Sequence, residues 1–99
     1  MKVKDPEDVE AGEVHDALPP MDFSQFILSF GTTALIDLGE VPHPDTGQVE
    51  LNLASAQQTI NMLIMLKSRT KGNLTHEEDQ LLSKLVVDLQ LKFVQAAAR

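Results

Sequence analysis

The side chains that could do chemistry are few. His15, His43 and His76 are the three histidines, and the chain has no cysteine. A metal site built from histidine needs a second His or a carboxylate on the same helix face or across a shared loop. None of the three has one at metal-ligand spacing on the same helix face. His76-Glu77-Glu78-Asp79 reads as a helix start, and Pro44 constrains His43-Pro44-Asp45 too tightly to assign it as a dyad. A phosphate-cradling loop needs several glycines, and Lys71-Gly72-Asn73 has one. What remains is simple anion binding. Lys67, Arg69 and Lys71 end one predicted helix, and Asn73 and Thr75 open the next, where free N–H groups and the helix dipole favour negative charge. Lys71, Asn73 and Thr75 are therefore the candidate anion-binding residues. No catalytic residue, metal ligand or cofactor is assigned, because no nucleophile–base pair can be identified.

Three helices must position these residues. Asp22 caps the first, which carries Phe23, Phe26, Ile27, Phe30, Ala34 and Leu38 at helical spacing and stops at Gly39. Pro42, Pro44 and Asp45-Thr46-Gly47 exclude helix from the next dozen residues. The second helix runs from about residue 52 to 71, with Leu53, Ala56, Ile60, Leu63 and Ile64 on its main face. Thr75 and Glu78 form a capping box for the third, which carries Leu81, Leu82, Leu85, Val86, Leu89, Phe93 and Ala96. The short connection at Gly72-Asn73-Leu74 predicts that helices two and three pack as an antiparallel hairpin. On helix three, Lys84, Asp88 and Lys92 are spaced for i, i+4 ion pairs. The fold class is all-α, with three long helices over about 22–38, 52–71 and 75–97, completed as a bundle by dimerisation.

Composition sets the limits around this core. Ninety-nine residues make one small domain. Asp5, Glu7, Asp8, Glu10, Glu13 and Asp16 outnumber Lys2 and Lys4, so residues 1–20 hold −4 of the formal charge of −7. With three prolines and few apolar residues, that segment is expected to be a disordered acidic tail ahead of a domain over 21–99. The acidic balance argues against nucleic acid, whose binding rests on Lys and Arg neutralising phosphates. No apolar run is long enough for a membrane span, and no export signal is recognisable, so a cytoplasmic location is expected.

The distribution of apolar residues points to association. No charged residue occurs between Asp22 and Asp37, nor between Glu50 and Lys67. A helix on the surface of a monomer usually turns charge to water. Here Met62, Met65 and Leu66 extend the apolar surface of helix two, and Leu28 and Leu35 extend that of helix one. Val87, Leu91 and Val94 form a second stripe on helix three. Three helices in about 79 residues cannot bury all of these among themselves. These eight residues are the candidate interface, and the expected partner is a second copy, most simply in a two-fold dimer, with a further protein partner as a possible addition.

The segment Phe23–Leu38 followed by Gly39-Glu40-Val41-Pro42-His43-Pro44-Asp45-Thr46-Gly47 resembles the opening of the bacterial domain-of-unknown-function 1844 proteins. Ala56, Ile60, Leu63 and Leu66 resemble them too, as does Thr70-Lys71-Gly72-Asn73-Leu74-Thr75 with Glu78 and Leu82. The resemblance covers about residues 22–95, with departures at Asn61, Val87 and Gln90. It implies a small helical bacterial protein, without an assigned activity and without catalytic residues to carry over. The function expected from the residues is a non-enzymatic helical interaction or adaptor module, with a small anion- or ligand-binding regulatory domain as the alternative.

Overall fold

The structure is a computed structural model that describes residues 21–98. The acidic segment 1–20 lies outside the described residues. Helix α1 spans Phe23–Asp37, α2 spans Leu53–Arg69 and α3 spans His76–Ala97, in the order and within a residue or two of the bounds read from sequence.

Each start carries the cap its residue type predicts. The Asp22 carboxylate accepts the Gln25 N–H at 2.8 Å, and the Asn52 amide oxygen accepts the Ser55 N–H at 3.0 Å. Thr75 and Glu78 exchange side-chain and backbone hydrogen bonds in a complete capping box. At the end of α1, Gly39 takes φ +77°, while its N–H reaches Ile36 O and the Glu40 N–H reaches Leu35 O. That paired closure satisfies two carbonyls that the helix leaves unpaired, and it needs a left-handed residue that only glycine adopts without strain.

The long connection is tied shut at its ends. The Asn52 N–H donates to Asp37 O at 2.7 Å, and the Ser55 hydroxyl donates to Asp37 Oδ2 at 2.7 Å. Leu38 and Leu51 form a lone antiparallel bridge there, the single β-type pairing among the described residues. The chain therefore reverses, so α1 and α2 run antiparallel and the N-terminus of α1 lies near the C-terminus of α2. The six-residue link from Thr70 to Thr75 reverses the chain again, and α2 packs on α3 as the expected hairpin. Helix α1 packs against both. Gly31 makes this possible on the α3 side, where a Cβ would stand 2.9 Å from Leu85 Cδ1.

Ile27, Ala34, Leu38, Ala56, Ile60, Leu63, Leu82, Val86, Leu89 and Ala96 form the core. Three sequence assignments change, those of Ile64, Leu66 and Phe26. Ile64, read as part of the main stripe of α2, is exposed, whereas Thr59 is buried and Leu66 packs against the core. At about 100° per residue, this turns the buried face by roughly 40° from the one read in sequence. The cause is that α2 serves two neighbours, α1 on its Ser55 and Leu66 flank and α3 on its Gln57 and Ile60 flank. Phe26, read as core-facing on α1, is also exposed, and it stacks edge-on to Phe30 with ring centroids 5.0 Å apart. Leu63→Ala should therefore cost about 2–5 kcal/mol, and Ile64→Ala less than half of that. Urea unfolding followed by circular dichroism at one protein concentration measures both.

Candidate functional site

The eight apolar candidates do not form one surface. Leu35 and Leu66 are half-buried and belong to the packing around the core. Leu28, 41% exposed, lies toward the Gly31 side of α1, which faces α3. Met62 and Met65 are 38% and 56% exposed on the outside of α2. Val87, Leu91 and Val94, 61%, 58% and 63% exposed, run along the outer face of α3. Val94 also meets Gln57, Ile60, Gln90 and Phe93 at a shallow cleft between α2 and α3.

The surface on the α1/α2 side has the more unusual chemistry. Asp37 and Ser55 fix the flank of α1 that meets α2, and Phe30 and Phe26 lie on that same flank about two and three turns back toward the N-terminus. Antiparallel pairing sets them beside Leu66 and Met62. The outer face of α1 adds Gln25, Ser29, Thr32 and Thr33, with the half-buried Ile36 beside them. The hydroxyls of Ser29, Thr32 and Thr33 donate back to Gln25 O, Leu28 O and Ser29 O at 2.8, 3.1 and 3.1 Å, so they are already satisfied by their own helix. The outer face of α2 adds Ala54, Gln58 and Asn61. Between Asp22 and Asp37 on α1, and between Glu50 and Lys67 on α2, this surface carries no charge. Sequence reasoning missed Phe26 here, because it lies at the edge of a stripe whose width spacing alone does not fix.

The anion candidates sit at the opposite side of α2. A cleft of about 780 Å³ at the α2–α3 junction is lined by Ile64, Lys67, Ser68, Lys71, Gly72, Leu74, Thr75, His76 and Asp79. Lys71 and Thr75 are brought together there, and Asn73 is not among the lining residues. The Thr75 hydroxyl accepts the Glu78 N–H, and its own N–H is held by the Glu78 carboxylate at 2.9 Å. The Asn73 N–H donates to Thr70 O. Glu77, Glu78 and Asp79 fill the first turn of α3 with negative charge. The helix start is thus occupied by its own acids, and Lys67 and Lys71 are what the cleft has left for an anion.

His43 has a structural job. Its Nδ1 accepts the Asp45 N–H at 3.2 Å, with the Asp45 carboxylate 4.0 Å away, while the His43 carbonyl accepts the Gly47 N–H at 2.7 Å. These bonds fold the loop tip into a tight turn. The Lys84–Asp88 ion pair forms at 2.8 Å as spaced, but Lys92 reaches across to Glu40 at 3.1 Å instead of pairing along its helix. That contact braces the loop against α3. His15 lies outside the described residues. Among the described residues, no group of three or more metal-ligating side chains could hold a metal ion, and no helix is long and apolar enough to cross a membrane.

These features define a small all-α protein: three capped helices, a braced proline loop and two exposed apolar faces. The chain belongs to the family described as domain of unknown function (DUF1844), whose sequence profile matches residues 20–95. No curated protein and no solved structure matches the chain. If Thr75 serves the helix start, Thr75→Ala should lower stability by about 1 kcal/mol, equally with and without phosphate. Thermal melting in matched buffers checks this.

Proposed function

We propose that this protein is a non-enzymatic helical interaction module that acts by self-association, on which a further protein partner assembles. The observation that supports this reading is the charge-free surface shared by α1 and α2, with Phe26, Met62 and Met65 exposed on it. A second copy is the occupant that the charge favours. Two-fold contact sets a surface against itself, so any net charge on it meets its own sign. On a chain of formal charge −7, a neutral patch is the part that approaches a copy without repulsion. Its apolar side chains supply the driving force, about 1.5–3 kcal/mol for each large one fully buried, before the entropy of association. The outer stripe of α3 is left for the further protein partner. The setting proposed for it is the cytoplasm, in a bacterium as the family resemblance implies.

A second reading, a small-ligand regulatory site, is favoured by one feature: the junction cleft with Lys67 and Lys71 on its wall. A rise in melting temperature with a phosphorylated metabolite, lost on Lys67→Ala with Lys71→Ala, would support it. No rise with any member of a broad panel would remove it.

Size-exclusion chromatography with light scattering tests the main reading. The wild-type full chain should give twice the 10.9 kDa chain mass at micromolar concentration. Met62→Asp with Met65→Asp should give the chain mass with unchanged helix content. A wild-type monomer at high concentration would refute self-association.

A further inference from the structure

The two ends of α2 carry opposite charge. Glu50 and Asp45 are exposed in the loop just before α2. Lys67, Arg69 and Lys71 are exposed at its other end. Among the described residues Arg69 makes no ion pair or side-chain hydrogen bond, and Glu50 has only a long 3.4 Å contact from the Thr46 hydroxyl. Between these ends the outer face of α2 is neutral: Ala54, Gln58, Met62 and Met65 follow one another at intervals of three or four residues, all exposed. Glu77, Glu78 and Asp79 lie on α3, which packs on the other flank of α2, so they do not offset the basic end on this outer face.

We propose that two copies pair antiparallel through the outer faces of their α2 helices, with the two-fold axis passing between Gln58 and Met62. This rests on the self-association proposed above and names its surface and register. In that register Glu50 of one copy comes beside Arg69 of the other, and the two-fold repeats the contact at the far end. The large Met65 meets the small Ala54 on each side of the axis, and Gln58 meets Met62. Phe26, beside Leu66 on the neighbouring helix, closes over Ala54 of the second copy. A parallel arrangement would set Arg69 against Arg69 and Glu50 against Glu50. Like charges directly opposed are unfavourable, so charge selects the antiparallel form while the methionines provide the contact.

Charge reversal in the full chain tests this. Glu50→Arg alone and Arg69→Glu alone should each raise the dimer dissociation constant roughly tenfold or more at low salt, since each variant creates two like-charged contacts per dimer. The combined Glu50→Arg/Arg69→Glu chain should return close to wild-type affinity. The differences should shrink at about 1 M salt, where screening acts within about 3 Å. Analytical ultracentrifugation reads the constants, with circular dichroism confirming equal helicity. The absence of cysteine permits a second test that does not depend on the loop. Ala54→Cys with Met65→Cys places the thiols about 16 Å apart along one helix, too far for a bond within a chain, so oxidation should give a covalent dimer on a denaturing gel. A wild-type dimer that ignores both single reversals and gives no covalent dimer would overturn this register and leave self-association standing. A wild-type monomer would overturn both.

Discussion

The hold on Asp37 is the contact on which the rest of the arrangement depends. Its carbonyl oxygen accepts the Asn52 N–H and its carboxylate accepts the Ser55 hydroxyl, each at 2.7 Å. Ser55 is the third residue of α2, so the second bond fixes the helix in rotation as well as in position. Once Ser55 faces α1, Leu66 is carried toward α1 as well, Gln57 and Ile60 turn toward α3, and Met62 and Met65 are left outside. The same closure brings Leu38 and Leu51 into their bridge and leaves the proline loop to fold on itself. The His43 turn and the Lys92–Glu40 pair then hold that loop in place.

This geometry explains why the apolar surplus ends up on separate faces. A three-helix bundle buries one flank of each helix on each of two neighbours, which turns the buried arc toward the middle of the triangle. Residues at the edge of an apolar stripe are divided by that rotation. Leu35 and Leu66 fall inward, and Phe26 and Ile64 fall outward. Helix α3 keeps its stripe of Val87, Leu91 and Val94 opposite the core, with Lys84 and Asp88 paired nearby, so that face mixes charge with apolar area. The α1/α2 side is different because α1 has no charge between Asp22 and Asp37 and α2 has none between Glu50 and Lys67. Its hydroxyls are bonded within α1, so covering them with another apolar surface leaves few unmet hydrogen bonds.

The junction at Gly72 shows how a helix start can resemble a binding site in sequence. Free N–H groups at a helix N-terminus do attract anions, yet here the Thr75–Glu78 box and the acids at 77 and 79 supply that negative charge from within the chain. The same residues that mark the helix in sequence also occupy its dipole. The cleft that remains owes its shape to Ile64, Lys67 and Leu74, and its basic character to the last turn of α2 rather than to the start of α3.

Much of the fold was legible in the residues because local rules govern it. Asp22, Asn52 and Thr75 are capping residues wherever they precede an apolar periodic run, and Gly39 and Gly72 are stops because they accept positive φ, as they do here. The hairpin followed from a short link, and the family from the loop and junction motifs. The rotation of α2 was not legible, because Ser55 and Asp37 are eighteen residues apart and nothing in either helix announces their bond. Lys92 offered Asp88 as a partner at ideal spacing and took Glu40 instead, since the folded loop brings that carboxylate alongside. Sequence alone determined which segments are helical and that they carry more apolar surface than three helices can bury. The tertiary structure decided which of those side chains are buried, because a helix has one periodicity but its buried arc depends on how many neighbours it has and where they stand.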